Sequence, residues 1–156
     1  MKQVLGLVGL VAGLALGSAA GAAPIEGGIT AGEVANVLQE KGYKADVGRD
    51  DDGDPRVKSA ADGVNFTVFF YGCNHTTHCT SVTFQSGFHL DGGVSLDKVD
   101  SWNHDKRFLK AWRDKENDPY VEMDVDTEHG FTTESLGNYI DAWTARIPEF
   151  KTFIGF

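Results

Sequence analysis

Hydrophobic positions change their period several times along the chain, and each change marks an element. Thr30-x-x-Glu33 is the capping-box pattern of a helix start. Behind it Val34, Val37 and Leu38 recur at helical spacing, and Gly42 supplies a stop, which predicts a helix over 31–41. Tyr43 to Arg49 reads as extended, "DDDGDP" as a turn, and Arg56 to Ala61 as a second extended piece. Asp62-Gly63 then signals a hairpin. "VNFTVFFY", Val64 to Tyr71, is dense in β-branched and aromatic residues, and Thr80 to Phe88 sets Val82, Phe84 and Phe88 on one face. Ser95 caps a short helix carrying Leu96, Val99 and Trp102. Phe108 to Asp114 and Tyr120 to Asp126 are further strands. In the second, Val121, Met123 and Val125 face one way and Glu122, Asp124 and Asp126 the other. From about Glu134, Leu136, Tyr139, Ile140, Trp143, Ile147, Phe150 and Ile154 form one apolar helical face. Pro148 lies inside that face and is expected to kink the helix or end it early. This order predicts an α+β domain: an antiparallel β-sheet of about five to six strands flanked by helices.

The pattern also repeats. Arg49-Asp50-x3-Asp54-Pro55-x-Val57 recurs 64 positions later as Arg113-Asp114-x3-Asp118-Pro119-x-Val121, and a capped helix precedes each copy. Two units of helix, strand, acidic turn and strand are expected.

The N-terminus changes the picture of where this domain works. One basic residue, Lys2, precedes Val4 to Leu16, an apolar run interrupted only by Gly, and small residues follow to Ala22. This is the order of a secretory signal peptide, expected over residues 1–22, with cleavage after Ala22. The run is too short for a bilayer-spanning helix. The chain then divides into this leader, a short linker over 23–29 and a single domain over 30–156. It is expected in the periplasm or secreted. The net charge of −9 becomes more negative when Lys2 is removed. Such a field repels phosphates and anionic lipid, which argues against nucleic acid and membrane surfaces as partners.

Export bears directly on "YGCNHTTHCTS", which holds the only two cysteines, Cys73 and Cys79. In an oxidising compartment a cysteine pair is usually a disulfide, and the two flanking strands bring this pair together across a hairpin mouth. A zinc site usually draws ligands from two separated segments, and a redox pair usually reads Cys-x-x-Cys. The structural disulfide is therefore the preferred reading. His75 and His78 stay open as surface metal ligands, as do Glu122, Asp124 and Asp126, which with Glu128 and His129 line up near one strand face. The "RDDDGDP" cluster fails as a calcium loop: with Gly53 at the sixth position, Gly48 falls at the first and Ser59 at the twelfth. No G-x-S-x-G and no phosphate-binding glycine loop is present, and neither catalytic residues nor a cofactor are expected.

Several segments together resemble the YbjN-domain family of bacterial sensory transduction regulators. They are "GDPRV" at 53–57, "FYGC" at 70–73 with Cys79, "SVTFQSGF" at 81–88, "WNHDKRF" at 102–108 and "DPYVEMDVD" at 118–126. The resemblance implies a fold similar to type III secretion chaperones, which form dimers and bind protein segments, and it implies no enzymatic activity. A non-catalytic binding protein, chaperone-like or regulatory, is the function expected, with a protein or peptide segment as partner and a homodimer as its assembly. Trp102, Asn103, Arg107 and Phe108 read as a packing and capping device around a helix end, and alternatively as the wall of a binding groove.

Overall fold

A computed structural model describes residues 22–156 of the chain. The expected signal peptide lies outside the described residues, apart from Ala22. No helix among the described residues is long and apolar enough to cross a membrane.

The elements follow in the order α1 (Ala31–Glu40), β1 (Asp46–Arg49), β2 (Pro55–Ala61), β3 (Val64–Tyr71), β4 (Ser81–Gly87), α2 (Leu96–Asp105), β5 (Lys110–Arg113), β6 (Pro119–Asp126) and α3 (Thr133–Ile154). The six strands form one antiparallel sheet, ordered β1-β2-β3-β4-β6-β5. Strand alternation gives this sheet two different faces. Val57, Phe66, Val68, Phe84 and Met123 are buried on one side, and α3 lays Leu136, Ile140, Trp143 and Ile147 among them. The Trp143 ring sits 5.8 Å from both Phe66 and Phe84. Helix α1 packs beside α3 on the same side, and α2 packs against β5. The opposite face carries Lys58, Thr67, Gln85, Glu122 and Lys110 in one cross-strand row, with no helix among the described residues over it.

Both capped starts form as the sequence implies. Thr30 and Glu33 make the reciprocal capping box, and Ser95 accepts from the Lys98 N–H. The internal repeat is real in the backbone. Asp50 Oδ1 accepts from the N–H groups of Asp52 and Asp54, and Asp114 Oδ1 accepts from those of Glu116 and Asp118. Gly53 and Asn117, equivalent by the 64-residue offset, both hold a left-handed φ, at 90° and 68°.

Two expectations need correction. Helix α3 does not end early at Pro148, one of the two outcomes expected there, but continues to Ile154. An interior proline costs a helix about 3 kcal/mol. Ile147, Phe150 and Ile154 are buried on both sides of it, and each buried side chain of this kind contributes about 1.5–3 kcal/mol, so packing wins. The stretch 23–29 is not a linker. Ile25 and Ile29 are buried, the Ile25 N–H donates to Phe131 O at 2.9 Å, and Ile29 exchanges two backbone hydrogen bonds with Cys79. Gly28 lets this strap come close: a Cβ there would stand 2.8 Å from the Cys79 carbonyl oxygen, and φ is +101°.

Candidate functional site

An unusual local geometry lies where α2 turns into β5. Trp102, at the end of α2, is buried, and its indole N–H donates to Leu109 O at 3.1 Å. Asn103, the next residue, clasps the outer edge of β5. Its Nδ2 donates to Ala111 O at 3.0 Å, and its Oδ1 accepts from the Ala111 N–H at 2.8 Å. These two anchors fix the chain on both sides of Phe108. The link is so short that Phe108 takes φ +76°, a left-handed conformation rare for a bulky residue. Leu109 then points into the core, and Phe108 is thrown outward with 55% of its surface exposed. This is also why β5 begins at Lys110 rather than at Phe108.

Two guanidinium groups hold the exposed ring. Arg146 Cζ lies 4.5 Å from the Phe108 centroid and Arg107 Cζ lies 5.4 Å from it. Lys106 and Lys110 are close in sequence and also exposed, so a basic and aromatic corner stands on an acidic molecule. The four residues singled out in the sequence thus divide. Trp102 belongs to the core and presents no surface, which corrects its place in a groove. Asn103 turns its amide to β5, and Arg107 and Phe108 remain outward. The sequence reading missed Arg146. It sits on α3, whose apolar stripe was legible, but its contact with Phe108 spans 38 positions and leaves no local signal.

The hairpin tip is stapled. Cys73 and Cys79 form a disulfide between the ends of β3 and β4. Inside the loop, His75 and Thr76 occupy a tight turn with φ of 50° and 63°, and His78 also has a left-handed φ. Both histidines are exposed, and His78 Nδ1 lies 3.1 Å from Thr77 Oγ1. Cys79 is fully buried and is the residue that receives the strap.

On the open sheet face the carboxylates have partners within the protein. Glu122 accepts from Lys110 at 2.5 Å, from the Trp112 indole at 2.8 Å and from Gln85 at 3.3 Å. Burial pushes its carboxyl up, but these donors outweigh burial and hold it below its ordinary value. The hydrogen bond to Glu122 correspondingly raises Lys110. Asp124 accepts from Thr83 Oγ1 at 2.5 Å, and Asp126 accepts from the Glu128 N–H. Together with Tyr71 they line a shallow groove of about 750 Å³. Burial is the first cause that raises Tyr71, and the charges of Glu122 and Asp124 add to it. Among the described residues no three His, Cys, Asp or Glu side chains come together as a metal site. Glu122, Asp124 and Asp126 form a hydrogen-bonded sheet face. Elsewhere His89 Nδ1 meets Asp118 Oδ2 at 2.8 Å. That hydrogen bond raises the imidazole and lowers the carboxyl.

A six-stranded antiparallel sheet with helices on one face, an aromatic knob at one corner and a stapled hairpin defines a small α+β domain. A family model described as "YbjN: Putative bacterial sensory transduction regulator" matches residues 30–156, and the chain belongs to that family. Comparison with curated proteins finds no match. Among solved structures, one similar chain is in a crystal structure of the Yersinia pestis type III secretion chaperone SycH in complex with a stable fragment of YscM2. It is 10% identical, with a TM-score of 0.49, and the alignment covers 76% of this chain and 97% of that one.

Proposed function

We propose that this protein is an exported, non-catalytic binding protein, regulatory or chaperone-like, that holds a segment of another protein against Phe108. The exposure of that ring between Arg107 and Arg146 carries the reading. Aromatic and arginine side chains are enriched among the residues that dominate the energetics of protein interfaces. An aromatic ring held outward by a left-handed backbone is already ordered before a partner arrives, which lowers the entropy cost of binding. The flanking cations favour a segment that carries carboxylates next to an apolar side chain. The export half of the proposal rests on the leader sequence and on the disulfide, a bond that persists in oxidising compartments.

A photo-crosslinking residue placed at position 108 tests this in the exporting cell. A discrete covalent adduct with one protein is expected from position 108, and none from position 115, which lies in the exposed β5–β6 turn. Arg146→Gln, in the position-108 background, should weaken the adduct. Equal labelling from both positions, or no adduct at all, would remove Phe108 as the contact.

A further inference from the structure

The internal repeat assigns a role to the free edge of the sheet. The two outermost strands, β1 and β5, are equivalent by the 64-residue offset, and Val47 corresponds to Ala111. In both hairpins the inward direction is set by the turn. Asp50 N–H donates to Asp54 O, and Asp114 N–H donates to Asp118 O. Backbone groups alternate sides along an antiparallel strand, so the N–H and C=O of Val47 and Ala111 point away from the sheet. At β5 these groups are occupied, because Asn103 bonds to both. The position equivalent to Asn103 is Gln39, which among the described residues makes no side-chain hydrogen bond to β1. Among the described residues, one edge of the sheet is closed by an amide clasp, and the same place on the other edge is open. All four residues of β1 are exposed, Val47 by 52%.

The chemistry of the open edge selects its occupant. A two-fold axis through Val47 keeps faces matched, and it sets Asp46 opposite the partner's Gly48 and Lys44 opposite the partner's Asp50. Gly48 has no side chain, and Arg56 of β2 lies across it, with Nε 3.7 Å from where a Cβ would be. In the paired state Arg56 therefore lies beside the partner's Asp46. Val47 meets the partner's Val47 on the helix side of the sheet. Each ion pair occurs twice, and the Val47 amide and carbonyl gain the partners that Ala111 has in Asn103. A register centred on Asp46 would instead oppose two carboxylates.

We propose that β1 is a self-association strand, and that two copies of this chain pair β1 with β1, antiparallel and centred on Val47, into one continuous sheet. The Phe108 corner sits at the far edge of each copy and stays accessible, so this assembly does not depend on the binding reading above.

Light scattering on the purified protein should give twice the chain mass. Val47→Lys sets two like charges against each other at the axis, and it should halve that mass with an unchanged circular dichroism spectrum. A hydrogen-bonded antiparallel pair has Cα atoms about 5.5 Å apart, within disulfide reach. Val47→Cys should therefore form a covalent dimer on mild oxidation, whereas Gly48→Cys, which faces the partner's Asp46, should not. A monomeric native protein would overturn the proposal. So would a Val47→Lys variant that keeps the dimer mass, or covalent dimers from Gly48→Cys in place of Val47→Cys.

Discussion

Phe108 shows a conflict between local backbone preference and the anchors on either side. Its left-handed φ costs on the order of 1–3 kcal/mol for a residue with a side chain. The Trp102–Leu109 and Asn103–Ala111 hydrogen bonds enforce that φ. An exposed ring over guanidinium groups returns only about 0.5–1 kcal/mol. The balance leaves Phe108 unfavourable or neutral for the fold. Phe108→Gly should consequently leave the urea midpoint unchanged or raise it, by up to about 1 kcal/mol in stability, because glycine accepts this φ without strain. A loss of more than about 1 kcal/mol would mean that the ring is a structural residue, and it would count against its role as a partner contact.

Among the elements, what could be read from the sequence was whatever is encoded locally. The Thr30–Glu33 box, the Ser95 cap, the alternation of Val121, Met123 and Val125 against Glu122, Asp124 and Asp126, and the twinned Asp50 and Asp114 turns all use residues a few positions apart. The hairpin tip was legible too, because the strands flanking Cys73 and Cys79 are short-range neighbours. The continuation of α3 past Pro148 was not legible, because the cost of the proline is local while its compensation comes from the sheet and α2. Phe150 packs on Phe88, which follows β4, and on Trp102 of α2. The 23–29 strap was misread for a similar reason: "PIEGGI" carries no periodicity, and Ile25 and Ile29 find their places only against Phe131 and Cys79. In the candidate site, Phe108 and Arg107 stood out by sequence, but the burial of Trp102 and the arrival of Arg146 depend on α3. If packing alone carries α3 through position 148, relieving the local defect should stabilise the protein. Pro148→Ala restores an N–H that can reach Thr144 O, and it should add roughly 1–3 kcal/mol in denaturant unfolding. No gain would show that the helix has already relaxed around the proline.

At the scale of the whole molecule, the disulfide and the strap meet at one residue. Cys79 is bonded through sulfur to Cys73, through its amide and carbonyl to Ile29, and through its carbonyl to Thr127 Oγ1. Two physical accounts of the staple then make different predictions. If closing the seven-residue loop only restricts the unfolded chain, reduction costs about 2 kcal/mol whatever the strap does. If the staple also holds Cys79 where the strap can dock, reduction loosens Ile29 as well, and the loss depends on how firmly Ile29 is seated. The close approach at Gly28, which leaves no room for a Cβ, favours the second account, since a small shift of Cys79 would disturb that contact. Ile29→Ala alone should cost about 2–5 kcal/mol, as expected for a fully buried isoleucine. Reduction should then cost the native protein more than it costs Ile29→Ala, with a coupling above about 0.5 kcal/mol in a cycle of denaturant unfolding curves. Equal losses in the two backgrounds would assign the disulfide to the unfolded state alone and leave the strap independent of it.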